Sequence, residues 1–338
     1  MASTLKDVAQ AAGVHTGTAS KALNADTRHL VAEATVKRVL AAAKKLHYQP
    51  NDIARSLRTR RSQMVGVLVP DLTNSLFPPI VRGIEHVLSD SGLQAIVLNT
   101  DNNIEKASEL FSTLWARQCD GFIIASAFRE DKLIEEIAER EIPAVLVNRL
   151  TDKRLLPSVS GDEWSGVHIA VNHLASLGHK SIAHIAGPKN ISTGNIRRLA
   201  FLDAILKIGL KKENCPIVFA SEYSDSAGRF AAKKLLSNSK ARPTAIFAGN
   251  DQIAMGVLDA IDAAGLSCPE DISVVGFNNI PLMERVNPSL TTMHLPKRRV
   301  GEAAAVILKE IISGEVMHGP EVHMMPCEII IRDSTAKV

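Results

Sequence analysis

The chain has 338 residues, enough for about two domains at roughly 150 residues each. Apolar residues make up 46% and charged residues 22%, which excludes wholesale disorder, collagen-like repeats and a disulfide scaffold. The net charge of +3 hides an asymmetry: residues 1–62 carry eleven Lys and Arg against four Asp and Glu, and the remainder is net acidic.

A basic head on an acidic body suggests that the head meets a polyanion. Aromatics are only 4%, so the cores must rest on Val, Ile, Leu and Ala. Cys119, Cys215, Cys268 and Cys327 are too far apart for a CxxC pair and fit a reducing compartment. Lys6, Asp7 and Gln10 interrupt the first apolar stretch, so no signal peptide is expected. No run approaches the roughly 18 apolar residues that span a bilayer. The expectation is a cytoplasmic protein with no membrane partner.

In chain order, Leu5, Val8, Ala9 and Ala12 share one helix face, and Gly13 breaks that helix. A second short helix is predicted over 15–24, with Val14, Ala19, Ala22 and Leu23 as apolar contacts. A third passes through Val36, Val39, Leu40, Ala43 and Leu46 and stops before Pro50. Two short helices joined by a glycine turn and braced by a third form a helix-turn-helix, although any three-helix bundle shares the periodicity. Residues 51–62 carry Arg55, Arg58, Arg60 and Arg61 on one apolar turn. The segment is too short and too charged for a stable isolated helix. It could fold once phosphates neutralise the arginines, and it lies where a linker belongs.

From Met64 short apolar runs alternate with helical stretches, the pattern of parallel βαβ units. One quartet of strands is predicted at 65–70, 94–100, 120–126 and 143–149, and a second at 181–187, 216–221, 244–250 and 272–278. Residues 158–166 read as a crossing point between them. Residues 290–296, a helix and a last strand at 327–333 follow. Ligands in open α/β sheets bind beyond the carboxyl ends of the strands. Asn99, Asp101, Asn102, Asn148, Arg149, Asn250, Asp251, Asn278 and Asn279 cluster there, although Asn and Asp are also ordinary turn formers. No GxGxxG, GxxxxGK[ST], GxSxG or HExxH motif occurs. His168, His173, His179 and His184 favour packing roles over a metal cluster. The body reads as a binder with no cofactor and no catalytic residues.

The chain resembles the lactose/galactose-repressor (LacI/GalR) family of bacterial regulators over essentially its whole length. The resemblance rests on LKDVAQAAGVHTGTASKALN and VKRVLAAAKKLHYQPNDIARSLRTRRS in the head. In the body it rests on VGVLVPDLTNSLFPPIVRGIE, HLASLGHKSIAHIAGP, FAGNDQIAMGVLDAI and PEDISVVGFNNIP with PSLTT. It implies a small all-α helix-turn-helix domain (1–50) and a hinge (51–62). The rest (63–338) would be an α/β two-lobed periplasmic-binding-protein-like domain with two parallel doubly wound sheets. One lobe would take about 63–160 and 292–322, the other about 161–291 and 323–334.

The partners so implied are a pseudo-palindromic operator in double-stranded DNA, a small-molecule effector and a second copy in a homodimer. The absence of a heptad extension after RDSTAKV argues against a tetramer. Thr16, Gly17 and Lys21 match the family's base-reading sites, and Lys21 can donate to guanine. Gly17 is odd, because glycine in a helix costs about 1 kcal/mol relative to alanine. It either admits a base closely or is a tolerated weak spot. Thr4, Thr18, Ser20, Asn24, Tyr48 and Asn51 fall among the DNA-contacting positions, with packing an alternative for Tyr48. In the hinge Ala54, Arg55, Leu57 and Arg58 complete the set, and Leu57 matches the leucine that wedges into the minor groove.

In the body Arg197 matches the effector-clamping arginine. Leu76 and Phe77 match one wall, Tyr223 the floor and Asn250 a hydrogen-bonding asparagine. Asn148 and Asn278 stand where polyol binders of the family often carry Asp. Their loss moves the count from about −1 to +1 with Arg197 kept. An anionic effector, which arginine grips bidentately, stands beside a neutral sugar read through amides. The resemblance implies that effector binding shifts the lobes and so the hinges, whether as inducer or corepressor. A solute-binding protein of a sugar-uptake system would share the body but not the basic head or the missing leader.

Overall fold

The computed structural model describes residues 3–24, 27–48, 61–237, 242–315 and 318–338, and the chain divides into two compact units at Ser62/Gln63. Among the described residues of the first unit three α-helices form: α1 (Leu5–Ala11), α2 (Thr16–Leu23) and α3 (Glu33–Lys45). Thr4 and Asp7 cap α1 reciprocally, satisfying N–H groups that have no partner inside the helix. Gly13, at φ +63°, supplies the left-handed turn that a residue with a Cβ resists. Val8, Ala9, Ala12, Ala19, Ala22, Val36, Val39 and Ala43 bury one core. Small residues dominate it, which lets three short helices approach closely. Leu40, read as an apolar contact, is 38% exposed. It sits one position past Val39, about 100° around the helix from the buried stripe.

The second unit is two sheets, each flanked by helices. The first runs β11-β5-β4-β3-β1-β2. Its strands are β1 (Met64–Val69), β2 (Gln94–Asn99), β3 (Gly121–Ile124), β4 (Ala144–Val147), β5 (Ser158–Gly161) and β11 (Val322–Met325). The second runs β12-β10-β9-β8-β6-β7. It comprises β6 (Ile182–Ala186), β7 (Ile217–Phe219), β8 (Ala245–Ala248), β9 (Ser273–Asn278), β10 (Thr291–His294) and β12 (Glu328–Ile330). The β10–β12 pair is antiparallel and the other pairs are parallel.

Helices α4 (Phe77–Asp90), α5 (Ile104–Ala116), α6 (Lys132–Glu139) and α11 (Lys297–Ser313) belong to the first lobe. Helices α7 (Glu163–Ser176), α8 (Ser192–Lys207), α9 (Asp225–Leu236) and α10 (Asp251–Ala263) belong to the second. Helices α4 and α11 pack backbone to backbone. A Cβ on Gly301 would stand 2.0 Å from the Ile80 carbonyl oxygen, and one on Gly83 2.2 Å from that of Arg298.

Two sequence expectations need correction. The stretch around 158–166 is a crossing, but its first four residues are also a strand, β5, paired with β4 and β11. The lobe boundaries near 292 and 323 move later. Strand β10 hydrogen-bonds in the second sheet through His294, and β11 stays in the first through Met325. Neither SVSG nor VHMM is a long apolar run, so only the ladder places them.

Candidate nucleic-acid interface and ligand cleft

In the first unit, Ala19 and Ala22 face the core while His15, Gly17 and Lys21 are exposed and Thr16, Thr18, Ser20 and Asn24 half-buried. Gly17 and Lys21 stand one turn apart on the solvent side of α2. His15 caps α2: its Nδ1 accepts from the Gly17 amide at 3.2 Å. A Cβ on Gly17 would lie 3.3 Å from that same nitrogen. The glycine therefore has a local cause that the sequence reading missed, since it leaves room for an imidazole folded over the helix start. Thr27 Oγ1 donates to the Lys21 carbonyl at 3.1 Å and Arg28 Nε to that of Ala22 at 3.0 Å, so the far end of α2 is satisfied too.

Thr4 is the N-cap of α1. Tyr48 packs against the helical core, where burial raises its phenol pKa, in keeping with the packing alternative. Asn51, Ala54, Arg55, Leu57 and Arg58 lie outside the described residues.

In the second unit the strand ends of both lobes face one cleft of ≈ 580 Å³. Leu76, Phe77, Asn148, Arg197, Tyr223, Asn250 and Asn278 all line it. A separate cavity of ≈ 480 Å³ beside Trp164 and Met324 holds none of them.

Local chain geometry sets each group. Asn148 and Asn278 terminate β4 and β9 at φ +65° and +110°, a region asparagine tolerates better than most residues. Asn250 is the N-cap of α10, its Oδ1 accepting from the Ile253 amide at 2.9 Å. Leu76 and Phe77 open α4. Tyr223 and Thr193 share a hydroxyl hydrogen bond of 2.9 Å. Burial raises the tyrosine's pKa against the opposing pull of Arg197.

Arg197 is 2% exposed, and each of its three guanidinium nitrogens donates a hydrogen bond. Its Nε donates to Glu163 Oε2, Nη1 to the Gly249 carbonyl and Nη2 to Asn278 Oδ1 at 3.3 Å. Its guanidinium lies 3.8 Å from the Phe277 ring centroid, a cation–π stack. Burial alone would weaken its charge, and Glu163 more than restores it, so its pKa is raised.

This corrects the charge count. Glu163, buried at the start of α7, cancels the +1 assigned to Arg197. Arg149, 4% exposed on the cleft wall, is a buried cation without an ion-pair partner among the described residues. Its Nη2 donates to Asn102 Oδ1 at 2.8 Å and its Nη1 to the Ser126 carbonyl at 3.5 Å. Burial pulls its pKa down to about 10, which leaves it charged at neutral pH. Arg149 was visible as a strand-end residue. Glu163 had no signal except its place after the crossing residue Asp162, which caps α7. Behind the cleft Lys297 Nζ donates to the Asn278 and Asn279 carbonyls at 2.7 and 2.8 Å. The four histidines each have their own neighbours: Asp203 for His168, Thr335 for His173, Thr244 and Ser273 for His179, and the Phe247 carbonyl for His184. No described helix is long and apolar enough to cross a membrane.

A helix-turn-helix unit followed by a two-lobed domain with a central cleft defines a DNA-binding protein that carries a ligand-binding domain. Residues 4–51 match the model of bacterial regulatory proteins of the lacI family, and residues 171–335 match the periplasmic binding protein-like domain. The chain is 34% identical to the HTH-type transcriptional repressor PurR of Photobacterium profundum, over 98% of each chain. It is 31% identical to catabolite control protein A of Priestia megaterium, covering 98% of this chain and 99% of that one. Among solved structures, the lac repressor dimer bound to operator and the anti-inducer ONPF superposes with a TM-score of 0.89 at 27% identity. That match covers 99% of this chain and 100% of the repressor chain. The chain belongs to the lacI family of bacterial transcription regulators. It is a DNA-binding transcriptional repressor with a ligand-binding domain, and its relatives are regulators rather than enzymes. The uptake-protein alternative finds no support among them.

Proposed function

We propose that the cleft of the second unit binds a sugar or sugar-acid-like metabolite and that its occupancy sets operator affinity. The observation that supports this most is convergence. Seven positions chosen for an effector, scattered over 203 residues from Leu76 to Asn278, line one cleft. Its wall offers both donors and acceptors, as recognition of a polar ligand requires. Asn148 Oδ1 has no hydrogen-bond partner, so an effector hydroxyl reaching it would satisfy a buried acceptor.

On this reading Thr16, Gly17 and Lys21 read bases. Thr4, Thr18, Ser20, Asn24 and Asn51 position the DNA backbone, with Tyr48 bracing them through its packing on the helical core, and Ala54, Arg55, Leu57 and Arg58 grip the operator centre. The test is to select DNA fragments with the purified protein and measure operator affinity by fluorescence anisotropy against sugars and sugar acids. A pseudo-palindromic site whose affinity falls steeply with salt and changes with a cleft ligand is expected. An affinity that no cleft ligand moves, or that survives removal of residues 1–62, overturns the reading.

A further inference from the structure

We propose that Arg149 is the anchor for a carboxylate on the effector, so that the ligand is a polyhydroxy monoacid rather than a neutral sugar. The inference rests on the cleft being the effector site.

Arg149 sits at the carboxyl end of β4, nine-tenths buried, in the wall of the cleft. A guanidinium carries five N–H donors. Two are committed, to Asn102 and to the Ser126 carbonyl, both neutral acceptors. A buried charge is costly unless an opposite charge or full hydrogen bonding accompanies it. Arg197, 48 positions on, faces the same cost and meets it inside the protein with Glu163. Arg149 forms no ion pair among the described residues. A carboxylate reaching into the cleft would complete the pair, with planar bidentate geometry available to it.

The mouth narrows the choice of anion. Asp71, Asp101, Glu222 and Asp225 also line the cleft, the last three exposed, and Lys106 offsets Asp101. Carboxylates at the entrance repel a dianionic phosphate more than a single carboxylate. The neutral side of the ligand has partners as well: Asn148 Oδ1 for a hydroxyl donor and the Asn250 amide group for an acceptor.

The experiment is calorimetry on the full-length protein with glucose and galactose, their uronic and aldonic acids and their 6-phosphates, repeated on Arg149→Met and Arg149→Lys. One acid should bind about tenfold or more tighter than its neutral parent, the worth of a charge-assisted hydrogen bond pair. Arg149→Met should erase that advantage and Arg149→Lys keep part of it. Four results overturn the assignment: neutral parents binding as tightly as the acids, phosphates binding tighter than carboxylates, an acid preference that survives Arg149→Met, or no response to any acid. A neutral sugar that binds as tightly as its acid or tighter, and alters operator affinity, would overturn the carboxylate anchor while leaving the proposed function standing.

Discussion

Glu163 and Arg197 form an ion pair whose side chains are each 2% exposed, one from the first turn of α7 and the other from the cleft-facing side of α8. The pair holds the arginine against Phe277 and Asn278, so the cleft is shaped before any ligand arrives. Removing one member of a buried pair strands the other. Glu163→Gln and Arg197→Met should each lower the unfolding free energy by about 3 kcal/mol. The double variant should recover much of that loss, because no unpaired charge remains. Urea titration of the four proteins checks this. Additive losses would mean the two groups are independently satisfied.

His15 and Gly17 are coupled through a single hydrogen bond and a single close approach. Alanine at 17 should gain helix propensity of about 1 kcal/mol only where the imidazole is absent. In the native background the gain should be smaller, since the new Cβ presses on the cap. Amide exchange of α2 in Gly17→Ala, His15→Ser and the double variant would reveal the coupling, and equal protection gains in both backgrounds would refute it.

Lys21 is exposed on the same face as Gly17. If it reads a guanine, Lys21→Ala should weaken the selected operator by about 1–3 kcal/mol and relax the preference at one position in each half-site. Competition between the operator and its single-base variants measures this. A uniform loss across all variants would assign Lys21 to a phosphate instead.

Two buried groups of the second lobe oppose each other in acid. His184 lies between Phe201 and Phe247 at 5.0 and 4.9 Å, and burial holds its pKa down at about 4. The unfolded chain takes up that proton near pH 6.5, so this group costs stability as pH falls from about 6.5 to 4. Asp251, fully buried at the start of α10, has its pKa raised to about 6 by burial. Its folded form binds the proton first, so it adds stability as pH falls through 6 towards 3.8. His184→Leu should therefore lose about 2 kcal/mol less than the native protein between pH 7 and 5, and Asp251→Asn about 1 kcal/mol more. Denaturant unfolding at the two pH values decides; parallel shifts in all three proteins would contradict the assignment.

Much of the fold was legible because its causes are local. Helical spacing of Val8, Ala9 and Ala12 and the apolar runs of β1, β3, β6 and β8 need only nearby residues, and the motif blocks carried the family. Asn148, Asn250 and Asn278 could be picked out because strand ends in a doubly wound sheet point to one place. Strands β5 and β11 escaped because Ser158–Gly161 and Val322–Met325 are strands by virtue of ladder pairing, β5 with β4 and with β11 and the latter across more than 150 residues. The charge of the cleft was equally beyond reach of local pattern. Glu163 and Arg197 are 34 positions apart, and nothing in either segment says that they meet or that Arg149 has no such companion. Neutralisation depends on which side chains share a low-dielectric interior, and only the packed chain brings them within contact.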